Sequence, residues 1–133
     1  MHSAKHTQTH IDGGELVEII SDRSFARHSH DEFGIGYLLN GRQQSWSGRG
    51  LVEASGGDVI TVNPGEIHDG YVPKDQTRHW RMIYLSPAAL PAVADLDADA
   101  YELDRPVLAD AACRQRIEVA FQNLSRDLRD EAA

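Results

Sequence analysis

The chain has a single cysteine, Cys113, in 133 residues. A lone thiol excludes an intrachain disulfide and a cysteine metal cluster, and a reducing cytoplasm is the expected compartment. Long apolar runs are missing too. No window approaches the roughly 18 apolar residues of a membrane-spanning helix, and no signal peptide precedes the first strand-like segment. Positive charge is scarce: 13 Lys and Arg stand against 21 Asp and Glu, a formal net charge of -8. Such a chain repels phosphate and is by itself a poor binder of nucleic acid. Neither Ser29 nor Ser47 sits in a nucleophile elbow, and there is no glycine-rich phosphate loop, so acyl and phosphoryl transfer find no support.

What is present is ordinary globular composition, 41% hydrophobic and 26% charged, in one domain long enough to bury a core. Residues 1–14 are polar, with His2, His6 and His10 four residues apart before Gly13 and Gly14. They read as a flexible tail, capable at most of adventitious metal capture. Residues 15–87 break into strand-sized runs: ELVEII, FGIGYLL, a segment around SWSGRGLVEA, DVITV and HWRMIYL. The breaks at SDRS, NG, SGG and NPGE carry turn residues, and Asn40-Gly41 reads as a hairpin turn, because both tolerate positive φ. This spacing predicts an antiparallel β-barrel or sandwich. Over 88–133 the period turns helical. PAALPAVA predicts a short helix or turn. From Asp110, a plausible N-cap, Cys113, Ile117, Ala120, Phe121, Leu124 and Leu128 form one apolar stripe on a helix reaching about Asp130.

Two segments carry the chemistry, RHSHDEFGIGYLLNG (27–41) and GGDVITVNPGEIHDG (56–70). Together they resemble the two signature motifs of the cupin superfamily, which implies a cupin-type antiparallel barrel (a double-stranded β-helix or jelly roll) followed by the C-terminal α-helix. His28, His30 and His68 match the three histidine positions of metal-binding cupins, and Gly57-Asp58 and Pro64-Gly65 match the framework. The glutamate of that pattern is missing: Gly34 and Ile35 occupy its positions, and Glu32 comes only two residues after His30. Strand side chains alternate, so inward His28 and His30 place Gly34 and Gly36 on the inward side. Glycine there predicts a thinned wall with room for an organic ligand. Three histidines with an open coordination position suit zinc, and imidazole also suits iron and nickel. The favoured role for the histidines is nevertheless ligand contact or structure, with no cofactor expected and a divalent ion as the rival.

HSHDEFGIGYLLNG, NPGEIHDG, WRMIYLSPAAL and RPVLAD with the helix that follows look more specifically like the N-terminal sensor of AraC-family transcriptional regulators. That resemblance implies a barrel that binds a small effector, a helical segment that dimerises, and a C-terminal helix-turn-helix pair that binds DNA. The chain stops at Ala133 without recognition-helix patterns or a basic stretch. It is therefore expected to be the sensor piece of a longer regulator, homodimeric in that parent, monomeric or weakly dimeric alone, and touching DNA only through the absent half. The expected effector site comprises His28, His30, Gly34, Gly36, His68, Trp80 and Tyr84. The rival is a stand-alone metal cupin, a dioxygenase or isomerase using His28, His30 and His68.

Other residues leave alternatives open. Alternation along HWRMIYL puts Trp80, Met82 and Tyr84 on one face and His79, Arg81, Ile83 and Leu85 on the other. Trp80 and Tyr84, like Tyr37 and Trp46, either line a pocket or pack the core, and the core is the commoner fate. Arg27 and Arg81 either grip an anionic effector or form surface ion pairs. Glu66 and Asp69 either orient His68 or solvate a turn.

Overall fold

Alternation along a few apolar strands gives the molecule a main sheet with two buried faces. The computed structural model describes residues 2–9, 11–28, 31–47, 50–65, 68–70, 76–89 and 107–132. Strands β1 (His2–Gln8), β2 (Gly14–Ser21), β4 (Phe33–Asn40), β7 (Val59–Val62), β9 (Arg78–Leu85) and β10 (Val107–Leu108) form this sheet in the order β1-β2-β9-β4-β7-β10. Every pairing in it is antiparallel. Two ribbons complete the β-structure: β3 (Phe25–His28) with β8 (His68–Gly70), and β5 (Arg42–Ser47) with β6 (Gly50–Ser55). One helix, α1 (Ala111–Ala132), follows.

Consecutive residues of β2 show why the sheet is buried on both sides. Leu16 joins Tyr37, Val59 and Ile83 on one face, and Ile117 of α1 closes that cluster. Val17 joins Leu38, Trp80 and Met82 on the other. Each such apolar side chain contributes about 1.5–3 kcal/mol when fully buried, so both faces are substantial. The helix starts where its sequence says it should: Asp110 Oδ1 accepts from the Cys113 amide at 3.0 Å. Cys113, Phe121 and Leu124 then pack beside Ile117 on the sheet. From Cys113 to Leu124 the apolar stripe therefore packs on the chain's own sheet. No helix among the described residues is long and apolar enough to cross a membrane.

Four expectations change. The expected flexible tail is an edge strand: His2–Gln8 pairs in register with Ser21–Glu15. It is held by backbone hydrogen bonds, which leave no hydrophobic trace in sequence. Asn40-Gly41 is not a hairpin. Gly41 does take positive φ, +95°, but β4 pairs with β7 and β9 while β5 pairs with β6, so the glycine turns the chain from the sheet into a ribbon. The SWSGRGLVEA segment is two strands closed by the Ser47–Gly50 pair. Within 88–133, Val107–Leu108 adds a strand against β7 ahead of the helix. The rest of PAALPAVA, from Leu90, lies outside the described residues.

Candidate ligand-binding cavity

The face of the main sheet turned away from α1 is not fully covered. Between it and the ribbons lies a cavity of about 380 Å³, within the range of small-molecule sites. Its main wall is the sheet: Val17 and Ile19 of β2, Ile60 and Val62 of β7, and Trp80, Met82 and Tyr84 of β9. The ribbons supply Gln43 of β5 and Asp69 and Gly70 of β8. His6, Glu15 and Glu32 add polar groups.

Period-two geometry places the β9 side chains. Trp80, Met82 and Tyr84 face the cavity, while Arg81 and Ile83 face the helix side. Trp80 and Met82 are buried and belong to the second core cluster as well as to the cavity wall, so the alternatives of pocket lining and core packing are both realised there. The guanidinium of buried Arg78 stacks 4.5 Å from the Trp80 ring centroid, and loss of solvation pulls its pKa down to about 10.

Glu15, Glu32 and Asp69 make the polar part of the lining mainly acidic. Glu15 and Tyr84 are cross-strand partners, and His6 Nδ1 lies 2.6 Å from Glu15 Oε1. Burial, and then the charges of Glu15 and Asp31, hold the Glu32 carboxyl above its ordinary pKa. Burial, then Glu32 and Glu15, push the Tyr84 hydroxyl up to about 12. Asp69, only 4% exposed, joins the wall from β8.

Gly34 and Gly36 do something other than open the wall. A Cβ on Gly34 would stand 2.8 Å from Tyr84 Cε1 and 3.2 Å from Met82 Cε. One on Gly36 would collide with the Arg81 carbonyl oxygen and Met82 Sδ. The space these glycines vacate is therefore filled by Tyr84 and Met82. Two alternatives left open by the sequence are decided in favour of the commoner fate. Tyr37, 1% exposed, belongs to the helix-side cluster. Arg81 does not face the cavity: its Nε donates to Glu18 Oε2 at 2.7 Å and its Nη1 to the Tyr37 hydroxyl at 3.2 Å, with the guanidinium 5.5 Å from the Phe121 ring centroid.

His28 and His68 are cross-strand partners in the β3–β8 ribbon, so the backbone brings two of the three predicted histidines together, their side chains lying outside the described residues. His30, Ser29 and Glu66 lie outside the described residues, as do the side chains of Arg27 and Trp46. The polar cavity residues that sequence reasoning missed are His6, Glu15, Glu32 and Gln43. A signal existed for one of them: Glu15, Val17 and Ile19 share a period-two face of β2.

The sequence matches the AraC-like ligand binding domain over residues 17–133. The chain belongs to that family. No curated protein matches the AraC-like domain described here. Solved structures resemble it at low identity and establish its cupin fold. A Cupin 2 conserved barrel domain protein from Salinispora arenicola is 21% identical, with a TM-score of 0.57 over 71% of this chain and 83% of the other. An RmlC-like cupin with a double-stranded β-helix fold from Methanocaldococcus jannaschii is 7% identical, with a TM-score of 0.56 over 65% and 81%. A putative mannose-6-phosphate isomerase from Ralstonia eutropha is 11% identical, with a TM-score of 0.57 over 65% and 85%.

Among the described residues no three His, Cys, Asp or Glu side chains gather to hold an ion. Of the two positions at which the cupin motif would carry its glutamate, Gly34 is packed by Tyr84 and Met82.

Proposed function

We propose that this AraC-like domain is the effector sensor of a cytoplasmic, non-enzymatic transcriptional regulator. A small molecule occupies the cavity, and a C-terminal helix-turn-helix domain of the parent protein, acting as a homodimer, reads the result on DNA. The observation that carries this reading is the placement of the cavity. It lies on one face of the main sheet while α1 lies on the other, and β9 serves both: Trp80, Met82 and Tyr84 wall the cavity, and Arg81 and Ile83 meet the helix side. A ligand that binds two arrangements of β9 with different affinity would bias the helix. The rival, a metal-dependent cupin enzyme, finds one of its two carboxylate positions, Gly34, filled by packing.

Reading the source coding frame past Ala133 tests the proposal. Two helix-turn-helix patterns with a basic face are the expected result. A frame without them would overturn it.

A further inference from the structure

The cavity proposed above as the effector site carries charge of one sign at one end, and the ligand class argued here rests on that assignment. Glu15 on β2 is paired with Tyr84 on β9, Tyr84 is paired with Gly34 on β4, and Glu32 stands two residues before Gly34. Two carboxylates, one on β2 and one in the bend just before β4, thus flank a phenol on the strand between, β9, and all three line the cavity. They feel one another: Glu15 opposes ionisation of Glu32, and both oppose ionisation of Tyr84. Among the described residues no Lys or Arg lines this end; His6 Nδ1 lies 2.6 Å from Glu15 Oε1, and the Arg78 guanidinium stacks on Trp80 at the other end. Away from this end the sheet wall is apolar, through Val17, Ile60 and Met82 to Trp80, while the ribbons add Gln43 and Asp69. Trp80 lies four residues along β9 from Tyr84, about 13 Å in an extended strand.

We infer that the cavity takes a small organic cation, with an amine or ammonium group set between Glu15 and Glu32 and an apolar body lying along Met82 toward Trp80. An organic anion would meet two like charges in a partly desolvated site. A neutral polyol could accept and donate hydrogen bonds but would leave the mutual repulsion of Glu15 and Glu32, which His6 offsets only at Glu15, in place. A cation relieves that repulsion and forms charge-assisted hydrogen bonds, roughly twice as strong as neutral ones.

The test is calorimetric titration of the purified chain with three probes of matched length: 4-phenylbutylamine, 4-phenylbutanol and 4-phenylbutyrate. The amine is expected to bind at least about tenfold tighter than the alcohol, with the acid weakest. Glu32→Gln should bring amine and alcohol within about threefold. Glu53→Gln, an exposed acid on β6, should leave the preference intact and so separates a local site from the attraction of net charge. Alcohol or acid binding as well as the amine would overturn the cation assignment while leaving the cavity as the effector site. A full amine preference in Glu32→Gln would also overturn it, and so would failure of all three probes to bind. The coding-frame result bears on the regulator reading independently of these outcomes.

Discussion

Gly36 has no room for a side chain. An added Cβ would strike the Arg81 carbonyl oxygen and stand 2.8 Å from Met82 Cα, both backbone atoms of the central strand β9. Gly36→Ala should therefore cost at least about 2 kcal/mol, the upper part of the range for overpacked cores, measured by urea denaturation. Gly34→Ala meets a ring and a methyl end instead, so a smaller loss of about 1 kcal/mol is expected. A loss as large as that of Gly36→Ala would contradict the packing described. At Glu18, burial works against the carboxylate, but hydrogen bonds from His79 and Arg81 outweigh it and hold its pKa below the ordinary value. A lowered folded-state pKa stabilises the fold above the unfolded value, near 4.5, and the benefit is lost as pH falls through the folded-state value. Glu18→Gln should accordingly flatten the acid limb of stability against pH. An unchanged acid limb would show that the ion pair with Arg81 contributes nothing to the fold.

Elements differ in how plainly their sequence announces them. The terminal helix was legible because an N-cap and a three- and four-residue stripe coincide, and Asp110 and Ile117 do what those patterns imply. Asp110→Ala should cost about 1 kcal/mol and Ile117→Ala about 2–4 kcal/mol. Val119→Ala, at a position 55% exposed, should stay within about 0.5 kcal/mol. Thermal melts of the three variants check that order, and an Ile117→Ala melt matching that of Val119→Ala would place the stripe elsewhere than on the sheet. Strand β9 was equally legible through its alternation. Strand β1 was not, because HSAKHTQ is polar on both faces and its pairing rests on backbone groups. The change of sheet at Gly41 was half legible: the residue announced its positive φ but not which strand would take the next segment.

At the scale of the whole molecule, the fold follows from a barrel pattern and a helix that covers one face, leaving the other face to enclose a cavity. The cupin architecture was readable from the histidine, glycine and proline framework, which fixes turns and strand starts. The site was only partly readable. Trp80 and Tyr84 line it as alternation allows, but Glu15, Glu32 and His6 reach it from positions separated in sequence, and only sheet order brings them together. Trp80 also offers a direct report on the central claim, because the chain has two tryptophans and Trp46→Phe leaves Trp80 as the only one. A ligand at a hundredfold excess over its Kd stabilises the folded state by about 2.7 kcal/mol, a shift of several degrees in Tm. The decisive measurement is to screen small organic amines, acids and polyols for such shifts and then record Trp80 emission in the Trp46→Phe chain with each stabilising compound. Binding in the cavity predicts that these compounds alter Trp80 emission, whereas compounds that stabilise the fold and leave the emission unchanged would place the effector site elsewhere.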